Sequence, residues 1–147
     1  IVLDSSLRIP KGAALISGID AAPLWLACAA PAPGCADELR RLGAEILPLG
    51  PSRNGLDLKS LLGLLAERGI TRLLVEGGPH VLQGFLDADL ADRIDVFHGA
   101  AAAGKGGLEP FVTDGLDRIA NSGEFIAVAE RPLGPDRQTI WLRKDRA

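Results

Sequence analysis

The sequence predicts a three-layer α/β domain with a mostly parallel sheet and a carboxy-terminal antiparallel hairpin. Three observations carry that prediction. Apolar strand-like runs alternate with helical patterns along the chain, the order that builds a parallel sheet covered by helices. Residues 70–75 (Ile-Thr-Arg-Leu-Leu-Val) are almost continuously apolar, as a strand covered on both faces is. Two tail segments, 124–130 and 138–143, alternate polar and apolar residues around Pro132, Gly134 and Pro135, the pattern of an edge hairpin.

The elements follow in order. Residues 1–4 form a short aliphatic strand ending in Asp4-Ser5-Ser6, and residues 24–29 a second strand closed by Pro31, Pro33 and Gly34. Residues 36–42 place Asp37 and Glu38 ahead of Arg40 and Arg41, a charge order that opposes a helix dipole, and Gly43 ends that helix. Residues 44–49 make a short strand. The clearest helix spans 54–69. Asp57 is its N-cap, Leu58, Leu61, Leu62 and Leu65 share one face, and Gly69 is its left-handed terminator. After the strand at 70–75, Glu76-Gly77-Gly78-Pro79 opens a helix over 79–88, with Val81, Leu82, Phe85 and Leu86 as its apolar stripe. A strand at 94–98, a glycine-rich loop at 99–107 and one helical turn at 116–120 lead to the tail hairpin.

Composition narrows the function. The 147 residues suit one domain, the net charge is −3 and aromatics are 4 %, so nucleic acid is not an expected partner. No apolar run reaches the roughly 18 residues that span a bilayer. Cys28 and Cys35 fit neither a disulfide framework nor a metal knuckle and read as reduced thiols. With His80 and His98 the only histidines, no metal site is expected.

The segment with chemistry is Leu73-Leu74-Val75-Glu76-Gly77-Gly78-Pro79-His80. It delivers an acid and two glycines to a helix N-terminus, where unpaired amides and partial positive charge favour an anion. Glycine lets a phosphate approach the backbone. On these grounds the segment is a phosphate or dinucleotide site, or else a tight turn with a solvated Glu76. Neither G-x-G-x-x-G nor a P-loop is present.

These residues, with Phe85-Leu86 and Leu90-Ala91-Asp92, resemble the carboxy-terminal reductase domain of RibD, the bifunctional riboflavin-biosynthesis deaminase/reductase. Val2-Leu3-Asp4-Ser5 with Leu7-Arg8-Ile9-Pro10, Leu56-Asp57-Leu58, Arg68-Gly69-Ile70 and Leu133-Gly134-Pro135-Asp136-Arg137 extend the similarity over nearly the whole chain. The resemblance implies a dihydrofolate-reductase-like fold. It also implies NADPH-dependent reduction of the ribosyl group of 5-amino-6-(5-phosphoribosylamino)uracil to the ribityl form. It places Glu76 against the substrate, and Ser5, Gly78, Pro79, His80, Val81, Leu82, Gln83 and Gly84 at the cofactor. It assigns no catalytic acid or base.

The chain departs from the family pattern at three places. His80 stands where a small polar residue is usual; beside phosphate its protonation would strengthen cofactor binding at low pH. His98 replaces an apolar position and is expected to be packed. Gly99-Ala100 replaces an Ala-Pro pair. Arg8 and Arg53 are candidates by type for a cofactor 2′-phosphate, and Lys105 for a phosphate. The deaminase motifs are absent from the sequence, so deamination is excluded for these residues. The expectation is a single reductase domain lacking its amino-terminal portion, with weak or no turnover by itself. The full protein is expected to be a cytoplasmic homodimer. The competing readings are a same-fold reductase of a pterin or another pyrimidine, and a non-catalytic nucleotide-phosphate-binding module.

Overall fold

The computed structural model describes residues 1–52, 55–101, 104 and 106–146. The chain divides into two compact units, Ile1–Leu73 and Leu74–Ala147.

In the first unit, β1 (Val2–Leu3), β2 (Trp25–Cys28) and β3 (Glu45–Pro48) form a parallel sheet in the order β1-β2-β3. Leu26 lies opposite Val2 and Ile46, and Ala27 opposite Leu3 and Leu47. Alternation sends the strand residues to opposite faces. Val2, Leu26, Cys28 and Ile46 pack with Ile16 of α1 (Ala14–Ser17) and Leu39 of α2 (Cys35–Arg41). Leu3, Ala27 and Leu47 pack with Leu61 and Leu65 of α3 (Leu58–Glu67). The three layers expected from sequence are therefore present here. A two-stranded piece, β4 (Pro51–Ser52) with β5 (Gly55–Leu56), leads into α3 and was not anticipated.

The N-cap of α3 is Asp57, whose carboxylate accepts from the Ser60 amide at 3.1 Å and the Ser60 hydroxyl at 2.8 Å. Both α2 and α3 end in Schellman motifs. Gly43 and Gly69 take positive φ there, and the amides of Ala44 and Ile70 reach back to Leu39 and Leu65.

The second unit holds α4 (Pro79–Asp87), β6 (Arg93–His98), α5 (Gly115–Asn121), β7 (Phe125–Leu133) and β8 (Asp136–Arg143). The sheet order is β6-β8-β7 and every pairing is antiparallel. Leu86, Ile119 and Phe125 form its core, with Ile94 and Trp141 packed alongside, so α4 and α5 cover one sheet face. The tail hairpin is present as expected and carries a bulge between Ala127 and Ala129.

Three expectations are corrected. Residues 70–75 are not a buried strand: they join no ladder among the described residues, and Leu74 is 79 % exposed. Apolar content specifies a covered environment but cannot supply the neighbouring strand that a ladder needs. His98 is exposed at the end of β6 rather than packed. The single turn expected at 116–120 is a seven-residue helix, α5. Arg53, Lys105 and part of the glycine loop lie outside the described residues.

Candidate functional site

Glu76, Gly77 and Gly78 leave an extended segment and enter α4, with Pro79 at its first turn. Gly78 is the N-cap and has φ −73° and ψ 179°, a conformation open to any residue. No side chain caps the helix. Val81 and Leu82 spend their amides on the Gly78 carbonyl, at 3.0 and 3.1 Å. Gln83 and Gly84 sit inside the helical ladder. Pro79 has no N–H. Among the described residues, the amides of Gly77, Gly78 and His80 have no acceptor, as is also true of the amides of residues 71–76 that lead to the helix.

The two glycines differ in what requires them. A Cβ on Gly77 would stand 2.6 Å from Val81 Cβ and 2.7 Å from its Cγ1, so Gly77 lets the chain pass over the first helical turn. A Cβ on Gly78 would meet nothing within 4 Å. Neither dihedral angles nor packing ask for glycine at 78, and the helix terminus is open on that side.

The side chains of Glu76 and His80 are both exposed and, among the described residues, make no hydrogen bond or ion pair. The Gln83 side chain is already engaged. Its Nε2 donates to Asp87 at 2.8 Å, and its Oε1 accepts from the Thr113 amide at 3.3 Å. A cavity of about 80 Å³ lies in the same unit, lined by Glu109, Phe111, Thr113, Asp114 and others; Glu76 does not line it.

Ser5 belongs to the first unit, at the carboxyl end of β1, where open parallel sheets place ligands. Its carbonyl accepts from the amides of Ala29 and Ala30, at 3.0 and 2.9 Å, which fixes the turn against the end of β2. Asp4 Oδ2 accepts from the Ile9 amide at 2.8 Å, while its Oδ1 is buried without a hydrogen-bond partner. Leu7 is buried at φ 53°, and the Ser5 side chain is left exposed. Arg8 is 83 % exposed, with Nε 3.7 Å from Asp4 Oδ1.

Cys28 and Cys35 are free thiols, and burial pushes the Cys28 thiol up, toward the unreactive form. Among the described residues no group of acidic, histidine or cysteine side chains is placed to hold a metal ion. Among the described residues no helix is long and apolar enough to cross a membrane. The sequence reading missed a cluster of three arginines at the far end of α4. Arg146 lies 57 residues along the chain from Asp89, whose carbonyl it reaches, so no local pattern marks the cluster.

A parallel sheet covered by helices in the first unit and an antiparallel sheet covered by helices in the second define the class: an α/β protein. The chain belongs to the RibD C-terminal domain family, whose model matches residues 1–122. It is 30 % identical over 141 residues to the 2,5-diamino-6-ribosylamino-4(3H)-pyrimidinone 5′-phosphate reductase of Archaeoglobus fulgidus, covering 89 % of this chain and 61 % of that protein. It is 31 % identical over 148 residues to the riboflavin biosynthesis protein RibD of Bacillus amyloliquefaciens, covering 99 % and 39 %. The chain thus spans about three fifths of the archaeal relative and two fifths of the bacterial one. Acinetobacter baumannii RibD superposes with a TM-score of 0.73 at 22 % identity, over 97 % of this chain and 36 % of that one. A pyrimidine reductase-like protein from Corynebacterium diphtheriae gives 0.73 at 16 % identity, over 96 % and 59 %. These superpositions show the fold.

Proposed function

We propose that this chain is the reductase part of a riboflavin-pathway enzyme. It acts on 5-amino-6-(5-phosphoribosylamino)uracil or its diamino-pyrimidinone counterpart and converts the ribosyl group to ribityl. NADPH supplies the hydride, and the protein's part is to bind, orient and polarise. The observation that carries the reading is the start of α4. Among the described residues the amides of Gly77, Gly78 and His80 are without acceptors, Gly78 is open where a side chain would stand, and Glu76 immediately precedes them. That arrangement suits a diphosphate, with the helix dipole adding to the attraction.

In this reading Gly78, Pro79, His80, Val81, Leu82, Gln83 and Gly84 form the cofactor segment, and the amides of Gly77, Gly78 and His80 do its hydrogen bonding. The Ser5 hydroxyl contacts the cofactor from its pinned turn. Glu76 accepts hydrogen bonds from the sugar hydroxyls of the substrate. The name of the archaeal relative supports the reductase assignment and the pyrimidine ribosyl-phosphate substrate class, and that of the bacterial relative supports the riboflavin pathway.

The domain is proposed to include a segment ahead of β1. The unladdered apolar residues 70–75, with Leu74 largely exposed, support this. Leu74→Asp should leave the stability of the 147 residues within about 0.5 kcal/mol, as exposed substitutions do. It should clearly destabilise the full-length protein, and equal effects in both would remove the proposal. A cytoplasmic homodimer joined through the tail hairpin completes the reading. Sedimentation velocity of the full-length protein tests the dimer, and a monomer at micromolar concentration would exclude it.

The test of function is NADPH oxidation by the full-length protein with the ribosylaminopyrimidine phosphate and, in parallel, with a pterin. Turnover of the first alone supports the proposal. Turnover of the pterin alone, or dinucleotide binding with no oxidation of NADPH, overturns it.

A further inference from the structure

Three helices of this chain end in the same hydrogen-bonding motif, and one uses the wrong residue for it. Gly43 and Gly69 close α2 and α3 with positive φ. At the end of α4 the corresponding position is Asp89, at φ 57°, with its amide on the Leu86 carbonyl and the Leu90 amide on Phe85. A side chain resists that conformation, so a residue other than glycine there points to a use for the side chain.

The use is visible. Asp89 Oδ1 accepts from Arg118 Nη2 at 3.0 Å and Arg143 Nη2 at 3.1 Å. Its carbonyl accepts from Arg146 Nη2 at 3.1 Å. Arg118 also grips Glu124 through two nitrogens, and Arg146 pairs with Asp92 at 2.7 Å. Arg143 is 8 % exposed, donates to the Ala91 carbonyl at 3.1 Å, and lies 4.8 Å from the centre of the Phe125 ring. Guanidinium groups from α5, β8 and the turn after it thus converge on residues 89–92, just past the end of α4.

We infer that Asp89 and Arg143 are positioning residues for the amides at the opposite end of α4. A nine-residue helix anchored at one end by charge-assisted bonds moves as a rod, so the anchor sets where Gly77, Gly78 and His80 present their N–H groups. The functional part of this inference rests on the dinucleotide reading; the mechanical part does not.

Asp89→Gly separates the two roles, because glycine keeps the helix end while removing the carboxylate. Two readouts are taken on the full-length protein: amide hydrogen exchange, and the dinucleotide KM against kcat. In Asp89→Gly, exchange at Val81 and Leu82 should rise by about tenfold or more with the β7–β8 ladder unchanged. The KM should rise severalfold at constant kcat, and Asp89→Asn, which keeps one acceptor oxygen, should recover part of both. Faster exchange confined to residues 88–90, or spread equally over β7 and β8, overturns the inference. If wild type binds no dinucleotide, the function reading fails, and the exchange pattern still decides the anchoring.

Discussion

Replacing Gly77 by alanine is a severe perturbation with a readable cause. The added Cβ would stand 2.6 Å from Val81 Cβ, 2.7 Å from Cγ1 and 3.2 Å from Cγ2. The first of these atoms is fixed to the helix backbone, so no change of the Val81 rotamer relieves the contact. Either residue 77 or the first turn of α4 must shift by several tenths of an ångström. Overpacking of this kind costs about 1–3 kcal/mol. For a chain of this length that lowers Tm by roughly 2–4 °C per kcal/mol, so a fall of about 2–12 °C is expected. Gly78→Ala is the internal control. Its Cβ meets nothing, its dihedral angles suit alanine, and the weaker N-cap propensity of alanine offsets the entropy gained by removing a glycine. Its stability should stay within about 0.5 kcal/mol of wild type. Scanning calorimetry on both variants decides the matter. Equal Tm values for Gly77→Ala and wild type, or a greater loss for Gly78→Ala, would refute the division of labour between the two glycines.

Three further outcomes follow from the same geometry. Gly78→Ala should weaken NADPH binding by about tenfold, near 1.4 kcal/mol, because its methyl group occupies the approach to the open amides; fluorescence titration measures this, and an unchanged Kd would count against the site. Leu86→Ala removes a side chain 1 % exposed in the second unit's core and should cost about 2–5 kcal/mol in urea unfolding. Hydrogen bonds from the Ser60 amide and hydroxyl hold the Asp57 carboxyl below the usual carboxylate range. A depressed native value means the ionised cap stabilises the fold above the unfolded value, near pH 4, and that contribution disappears as pH falls through the native value. Asp57→Ala should therefore be less stable than wild type at pH 7 and approach it below about pH 4; a pH-independent difference would contradict the cap.

Local rules made much of the fold legible. Leu58, Leu61 and Leu65 of α3 do line one core, with Leu64 beside them in place of the expected Leu62, Asp57 does cap the helix, and Gly43 and Gly69 do terminate helices. What failed depends on partners distant in sequence. Residues 70–75 have the composition of a covered strand, yet composition does not state which strand lies beside them. The arginines around Asp89 are 29, 54 and 57 residues from it, and a lone aspartate after a helix gives no hint of them. At the candidate site the sequence marked the corner at Glu76-Gly77-Gly78-Pro79 but treated its two glycines alike. The structure separates them, since only one has a neighbour where its side chain would be, and it shows which amides the helix has already used.

The most direct measurement is a backbone amide titration of isotope-labelled full-length protein with NADPH. The account predicts saturable binding with the largest shifts at Gly77, Gly78 and His80. Saturable binding that leaves those three amides unmoved, or no binding at all, would contradict it.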